Sequence, residues 1–213
     1  MATVIVDYES GNLHSAQKSF QRMAHELDAG EIIVSSKPEL IANADRIVLP
    51  GVGEFSDCRR GLASFNGLFE AMQQAVITRG VPFLGVCVGM QMMATRGLEH
   101  GKNTAGFDWI GGDVVELAPK DPSLKIPHMG WNELIFDADH PLFEGISNGA
   151  HAYFVHSYHL AATTPSDRLA RCDYGGDITA VVGRDNIVGT QFHPEKSQTT
   201  GLRLIGNFLK WNP

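Results

Sequence analysis

The first half of the chain alternates short apolar runs with segments of helical periodicity. The apolar runs, typical of buried strands, are residues 4–6, 32–34, 45–49 and 81–86. Between the first two runs, Ala16, Phe20, Met23 and Leu27 recur on one face of a helix. Strands that alternate with helices in this way predict a mostly parallel sheet with helices on both of its faces.

Local signals predict where some of these elements begin and end. Ser36 and Glu39 have the spacing of a capping box, which predicts a short helix after the second strand. Pro50 is expected to stop the third strand. Gly80 is expected to end the helix that precedes the fourth strand, because glycine adopts the left-handed conformation at low cost.

The second half of the chain has a different texture. Short strands separated by turn residues are predicted over 114–117, 131–136, 153–155 and 180–182. A last strand over 187–192 leads into a helix that carries Leu202, Ile205, Phe208 and Leu209. The fold class that follows is α/β, with a mostly parallel central sheet flanked by helices and an antiparallel extension. In such sheets, sites collect at the carboxyl ends of the strands.

Composition places the chain among globular proteins and argues against nucleic acid and membranes as partners. With 213 residues, 43% of them hydrophobic, we expect a single domain over residues 1–213. The formal net charge of -7 argues against a nucleic-acid partner. Acidic residues near the N-terminus and the lack of a long apolar run predict a cytoplasmic protein that does not enter a membrane.

The pentapeptide Gly85-Val86-Cys87-Val88-Gly89 lies where a buried strand meets a helix. It has the form of a nucleophile elbow with cysteine in the reactive position. The helix that begins near Val88 would lower the pKa of a thiol through its positive end, and the Val88 N–H could hold an oxyanion. Taken alone, the same segment also fits a buried cysteine at an ordinary strand-to-helix turn.

A possible base for this cysteine follows the last strand. His193 comes two residues before Glu195, so both side chains lie on the same side of the chain. His193 could accept the thiol proton while Glu195 orients its imidazole ring. A surface pair without function is the alternative, and the elbow and the pair together favour catalysis.

The loop Pro50-Gly51-Val52-Gly53 also follows a strand, and its backbone N–H groups at Val52 and Gly53 could complete an oxyanion site with Val88. It is a poor nucleotide loop because the third glycine is missing, and no phosphate-binding loop occurs elsewhere. We therefore predict no cofactor. The order Cys87, His193, Glu195 also differs from that of α/β-hydrolases, in which the acid precedes the histidine.

These three motifs, in this order, resemble the class I (triad) glutamine amidotransferases. The resemblance implies that Cys87 attacks the side-chain amide of glutamine, that ammonia leaves, and that water hydrolyses the thioester. It also implies that Gly53, Gln91, Ser157 and Tyr158 hold the glutamine.

Further segments extend the resemblance over nearly the whole chain. They include Pro127–Asn132, Tyr153–Tyr158 and Gln191–Ser197, and they are similar to the glutaminase subunits of imidazole glycerol phosphate synthase. This similarity implies a heterodimer with a (β/α)₈-barrel cyclase subunit. That subunit uses the ammonia to make imidazole glycerol phosphate and aminoimidazole carboxamide ribotide in histidine biosynthesis.

The same similarity implies which residues face the partner; they are Asn12, Met129, Trp131 and Lys196. One departure stands close to them, since Glu9-Ser10 replaces the more usual glycine and methionine. Without the resemblance, Met129 and Trp131 would be read as core residues.

The remaining histidines and cysteines predict no second site. His151, His156 and His159 are close in sequence, but no cysteine or carboxylate completes a set with zinc-like spacing, so no metal is predicted. Cys58 and Cys172 have no elbow or base beside them and are expected to be inert thiols.

Three alternatives stay open at this point. The chain could be a triad glutaminase that serves a different ammonia-accepting synthase, or a stand-alone cysteine hydrolase. It could also be a non-catalytic scaffold protein, although Cys87, His193 and Glu195 together argue against this.

Overall fold

An eight-stranded sheet runs through the centre of the protein in the computed structural model, which describes residues 1–213. The strands are β1 (Ala2–Val6), β2 (Glu31–Ser35), β3 (Arg46–Gly51), β4 (Phe83–Cys87), β5 (Arg96–Gly97), β6 (Thr104–Ala105), β7 (Gly112–Glu116), β8 (His128–Glu133), β9 (Ile135–Phe136), β10 (His151–His156), β11 (Tyr158–Ala162), β12 (Arg168–Asp173), β13 (Asp177–Arg184) and β14 (Ile187–Thr190). The α-helices are α1 (Leu13–Leu27), α2 (Pro38–Ala42), α3 (Phe55–Ser64), α4 (Leu68–Gln73), α5 (Val88–Gln91) and α6 (Gln198–Lys210).

The central sheet has the strand order β2-β1-β3-β4-β14-β13-β12-β9. Its first five strands are parallel, and the last three continue it with antiparallel pairings. Two smaller sheets complete the fold, a β10-β8 pair and a four-stranded sheet of order β11-β7-β5-β6. The predicted α/β class, with a parallel sheet and an antiparallel extension, is confirmed.

Burial follows from this layering. Every residue of β3 and β4 is buried, as expected for strands that are covered on both faces. On one face, α1 packs against α6, where the rings of Phe20 and Phe208 meet edge to face at 6.4 Å between their centroids. Because β3, β4 and β14 are neighbours in the sheet, the loops that follow them lie side by side.

Two local predictions, for the start of α2 and for the end of β3, need correction. The capping box does not form, since α2 is capped at Lys37 without a side-chain hydrogen bond, and Pro38 supplies the first helical residue. Strand β3 continues through Pro50 to Gly51. Pairing with β1 has ended at Val48, and the Pro50 carbonyl accepts a hydrogen bond from the Tyr8 hydroxyl instead.

Three further predictions are only partly right. The predicted strand 131–136 is divided between β8 and β9, because the buried Leu134 leaves β8 and pairs with Gly149 and Ala150. The last strand ends at Thr190 and not at residue 192. The helix predicted before Gly80 is α4, which continues as a wider π-type turn over Gln74–Thr78. Another helix, α3, lies before it and was not predicted.

None of the helices combines the length and the apolar character that crossing a bilayer would require.

Candidate active site

A cavity of about 500 Å³ lies at the carboxyl ends of β3 and β4. In the β3–β4 pairing, Gly51 is the register partner of Cys87, so the loop after β3 begins directly beside the cysteine. β14 is parallel to β4 on the other side and ends one residue earlier in register, at Thr190. The predicted elbow, loop and base are therefore carried by three adjacent strand ends.

Cys87 occupies a strained turn in the wall of this cavity. Its φ of 55° and ψ of -112° lie outside the usual regions for a residue with a side chain, and the side chain is buried within the cavity wall. The turn depends on glycine at position 89, where an added Cβ would lie 1.8 Å from the Leu49 carbonyl oxygen. A side chain at Gly85 would meet the backbone of Gly89 at 2.7 Å. Close backbone packing thus explains both glycines of the elbow.

The helix after Cys87 is short. α5 spans four residues, Val88–Gln91, so its dipole is small, and the contribution expected from the helix end is reduced to that of its first N–H groups.

His193 and Glu195 form a buried pair beside Cys87. His193 Nδ1 lies 2.8 Å from Glu195 Oε1, and the two side chains are 3% and 4% exposed. Burial lowers the pKa of His193, but its interactions with Cys87 and Glu195 outweigh this and raise the pKa to about 10. His193 consequently holds a proton at neutral pH and donates to Glu195 through Nδ1.

The backbone around His193 is fixed by Ser197. The Ser197 hydroxyl donates to the carbonyl of His193 at 2.7 Å and accepts from the Tyr153 N–H at 2.9 Å. The His193 N–H in turn donates to the Tyr153 carbonyl at 3.1 Å. The backbone of the candidate base is therefore anchored to β10.

Two glutamines lie behind the cysteine in a connected network. Gln191 Nε2 is 3.7 Å from Cys87 Sγ, while Gln91 Nε2 donates to the Gln191 side chain at 3.1 Å and to the Tyr158 carbonyl at 2.9 Å. Gln91 Oε1 is buried without a partner, and Gln91 lines the cavity. A ligand with an N–H group would satisfy this oxygen.

The loop after β3 offers free N–H groups on the other side of Cys87. Val52 and Gly53 line the cavity and belong to no helix or strand. Neither of their N–H groups donates a hydrogen bond within the chain. Val88, the third residue in the oxyanion prediction, lines the same cavity.

Ser157 and Tyr158, predicted to bind substrate, also line the cavity. Sequence reasoning missed Glu99, a buried carboxylate in the same wall whose Oε2 accepts from the Phe55 N–H at 2.6 Å. Burial raises the pKa of Glu99. Nothing in its local sequence marks it, because it reaches the cavity only through the packing of the segment after β5.

His156 lines the cavity but takes part in a different network. Its Nε2 lies 3.0 Å from His128 Nδ1, and its Nδ1 lies 2.9 Å from the Tyr158 carbonyl. Both ring nitrogens are occupied. Burial lowers the pKa of His156 to about 3, so this ring is neutral at pH 7.

The four residues predicted to face a partner are accessible in the free chain. Met129 and Trp131 are 63% and 46% exposed on β8, which excludes the reading of both as core residues. Trp131 contacts Tyr153 edge to face at 5.8 Å. Lys196 is exposed at the cavity rim, and Asn12 is half-buried at the start of α1.

The other two cysteines are buried and form no disulfide bond. Burial raises the pKa of Cys58, and burial and Asp173 raise that of Cys172 to about 12, which agrees with inert thiols. No group of three or more histidine, cysteine, aspartate or glutamate side chains is arranged to hold a metal ion.

Comparison with known proteins decides the family. Residues 4–211 match the family model for glutamine amidotransferase class-I. Over its full length the chain is 65% identical to the imidazole glycerol phosphate synthase subunit HisH of Cereibacter sphaeroides and 60% identical to that of Ruegeria pomeroyi, in both cases covering 100% of each chain. The chain belongs to the class I glutamine amidotransferases. Within that family it groups with the HisH subunits, and the resemblance found in its sequence is confirmed.

Solved structures agree on the fold of this amidotransferase. A crystal structure of a glutamine amidotransferase superposes with a TM-score of 0.71 at 19% identity and covers 97% of each chain. A glutamine amidotransferase from Thermotoga maritima gives a TM-score of 0.63 at 15% identity, covering 94% of this chain and 78% of the other.

Proposed function

We propose that residues 1–213 form a single glutaminase domain that releases ammonia from glutamine through a Cys87–His193–Glu195 triad and delivers it to a cyclase subunit. The cyclase would be a (β/α)₈ barrel bound as a heterodimer, and the complex would work in the cytoplasm. The observation that carries the triad is the placement of Cys87 beside the buried His193–Glu195 pair at one cavity.

The first half-reaction forms a thioester. Cys87 gives its thiol proton to His193, and the resulting thiolate attacks the side-chain carbonyl carbon of glutamine, whose oxygen becomes an oxyanion. N–H groups of Val52, Gly53 and Val88 are the candidates to stabilise that charge, because they lie at the cavity wall next to the cysteine. As the C–N bond breaks, His193 gives its proton to the departing nitrogen, which leaves as ammonia.

The second half-reaction restores the enzyme. His193, now neutral, takes a proton from water, and the hydroxide attacks the thioester carbon. The C–S bond breaks, and glutamate leaves. Glu195 accepts from His193 Nδ1 throughout and holds the ring in place.

The cavity suits the rest of the glutamine molecule. Its α-ammonium group would pair with the buried carboxylate of Glu99 in the cavity wall. Gln91 Oε1 could accept from the substrate amide, and the segment Ser157-Tyr158 would contact the remaining backbone atoms.

The partner proposal rests on the relatives' names and on the exposed side chains of β8 beside the cavity. Those relatives are named as subunits of imidazole glycerol phosphate synthase. We infer that Asn12, Met129, Trp131 and Lys196 contact the cyclase, which would turn the ammonia into imidazole glycerol phosphate and aminoimidazole carboxamide ribotide.

The test is glutamate release by the chain with and without its cognate cyclase subunit. Cys87→Ala should abolish glutamate release while leaving the fold and the complex intact. With external ammonium salt in place of glutamine, the mutant complex should still run the synthase reaction. Retention of a large fraction of glutaminase activity by Cys87→Ala would overturn the triad.

A further inference from the structure

Gln191 is a buried polar residue that contacts the nucleophile without lining the cavity. It is 0% exposed and follows directly after β14. Its backbone N–H donates to the Ala180 carbonyl on β13 at 2.8 Å, so the central sheet fixes the position of its backbone. The two half-reactions described above give this side chain no role.

The carboxamide of Gln91 is oriented by a backbone carbonyl. The Tyr158 carbonyl can only accept a hydrogen bond, so the Gln91 atom that lies 2.9 Å from it must be the nitrogen. The second hydrogen of that nitrogen goes to Gln191 Oε1 at 3.1 Å. Both hydrogens of Gln91 Nε2 are thus used within the protein, and Gln91 Oε1 is left without a partner in the cavity wall.

The orientation of Gln91 fixes that of Gln191 in turn. Because Gln191 presents its oxygen to Gln91, its own NH₂ group must point the other way. Gln191 Nε2 lies 3.7 Å from Cys87 Sγ, within reach of a hydrogen bond to sulfur. The flipped carboxamide would bring two NH₂ groups together and would set an oxygen against the sulfur, so it is disfavoured at both ends.

A donor beside Cys87 favours its reactive form. The thiolate is the nucleophile, and a hydrogen bond to a charged group stabilises the charged state. His193 also stabilises the thiolate, but it gives its proton away in the first half-reaction. The amide of Gln191 does not titrate, so its N–H is still in place when the C–S bond breaks and negative charge returns to the sulfur.

We propose that Gln191 is a further catalytic residue: one end of its carboxamide donates to the Cys87 thiolate, and the other end holds Gln91 so that Gln91 Oε1 faces the substrate. This assignment rests on the glutaminase function proposed above. It makes the nucleophile and a substrate-binding side chain depend on one buried group.

Gln191→Met removes both the donor and the acceptor from a side chain of similar length. Without the donor, the pH midpoint for alkylation of Cys87 by iodoacetamide should rise by about one pH unit, the size expected for one hydrogen bond to a charged group. For the same reason, kcat for glutamine hydrolysis should fall by roughly tenfold. KM should rise by about threefold, because Gln91 keeps only the Tyr158 carbonyl as its anchor.

Gln91→Met separates the two ends of the carboxamide. It removes the acceptor that faces the cavity, so KM for glutamine should rise by roughly tenfold, as expected for the loss of one hydrogen bond. The Gln191 N–H remains beside Cys87, so the alkylation midpoint should not move.

Thr190→Val is the matched control. Thr190 precedes Gln191 and is equally buried, but its hydroxyl donates to the Phe192 carbonyl at 3.0 Å. Its replacement removes a buried polar group from the same turn without removing a bond to Cys87 or Gln91. The alkylation midpoint, kcat and KM should equal those of the wild type.

The experiment alkylates the free chain with iodoacetamide over a range of pH and follows the Cys87 peptide by mass spectrometry, with Cys87→Ala as the blank. Glutamate release at saturating cognate cyclase gives kcat and KM, and a melting curve reports the stability of each variant. If Gln191→Met is too unstable to assay, Gln191→Asn replaces it, because its shorter side chain withdraws the N–H from the sulfur.

A lower melting temperature with an unchanged alkylation midpoint in Gln191→Met would make Gln191 a structural residue and would overturn the proposal. Equal midpoint shifts in Gln191→Met and Gln91→Met would also overturn it, since the effect would then not come from the donor to the sulfur.

Failure of the underlying function is distinguishable in the same set of variants. If Cys87→Ala released glutamate as fast as the wild type, the proposed function would fall, and the catalytic role of Gln191 would fall with it. If the wild type is active and Cys87→Ala inactive, the alkylation midpoint and kinetic constants of Gln191→Met test the role of Gln191 alone.

Discussion

His128 and His156 share a hydrogen bond across the β8–β10 pair, with His128 Nδ1 3.0 Å from His156 Nε2. His156 Nδ1 lies beside the Tyr158 carbonyl and must donate to it, so its Nε2 accepts from His128. His128 Nε2 then accepts from Asn132 at 3.3 Å. This chain of bonds, which connects the exposed strand β8 with the cavity wall, exists only while both rings are neutral.

The neutral pair predicts a loss of stability in mild acid. Burial lowers the pKa of His128 to about 4 and that of His156 to about 3, below the 6.5 expected when the chain is unfolded. Between pH 6.5 and 4 the unfolded chain therefore binds more protons, and the free energy of unfolding falls as the pH falls. From pH 7.5 to pH 5 each histidine should contribute a loss of about 2 kcal/mol.

Urea unfolding of the wild type and of His128→Gln at these two pH values tests this. The variant should lose less free energy than the wild type over the interval, whatever its stability at pH 7.5. His193 has a raised pKa and acts in the opposite direction, but it is present in both proteins and cancels in the difference. Equal losses in the two proteins would show that His128 does not carry the effect.

The triad geometry predicts an order of mutant effects. His193→Ala should reduce glutamine turnover by about 10²- to 10⁴-fold, because it removes the group that moves the proton. Glu195→Gln should cost less, since Glu195 only orients and stabilises the ring.

His156→Asn is the comparison that separates the two buried histidines of the cavity. Both nitrogens of His156 are engaged, so its replacement should cost less turnover than His193→Ala. Steady-state glutamate release in complex with the cyclase measures all three. If His193→Ala kept near-normal turnover while His156→Asn was inactive, the triad would have to be redrawn.

The elbow glycine at position 89 should be intolerant of a side chain. An alanine Cβ would lie 1.8 Å from the Leu49 carbonyl, and neither backbone segment can move without disturbing β3 or β4. We expect Gly89→Ala to lower the free energy of unfolding by about 3 kcal/mol, near the upper end for overpacking. Gly53→Ala meets no atom and pays only for its positive φ, about 1–2 kcal/mol. Chemical denaturation of both variants compares them, and equal losses would contradict this account of the elbow.

Features of the site that depend on residues adjacent in sequence could be predicted from the sequence. The elbow around Cys87 is such a feature, because close packing of its glycines is a local requirement. The placement of His193 beside it also follows, since a parallel sheet brings strand ends to one edge and β14 is indeed parallel to β4.

Features that depend on packing between distant segments could not be read. Glu99 and Gln191 enter the site through contacts with Phe55 and Gln91, which lie 44 and 100 residues away in sequence. The division of residues 131–136 between two sheets likewise depends on Leu134 pairing with the turn at Gly149. The hydrophobic periodicity of a sequence does not indicate which distant segments pair.

Trp131 should be a central contact for the partner and not a structural residue. Its side chain is 46% exposed in the free chain, and its ring packs against Tyr153. The ring is therefore oriented by a neighbour and still accessible to a partner. Trp131→Ala should weaken binding of the cyclase by about 2 kcal/mol or more, as expected for a buried aromatic hot spot, and should leave the melting temperature nearly unchanged. The variant should also lose stimulation of glutaminase activity by the cyclase.

Trp109→Ala is the control for a structural tryptophan. Trp109 is 4% exposed in the core, so its replacement should lower the melting temperature. Titration calorimetry measures the affinity of each variant for the cyclase, and melting curves of the free variants measure their stability. If Trp131→Ala bound the cyclase with unchanged affinity, this residue would no longer support a cyclase partner over another ammonia acceptor.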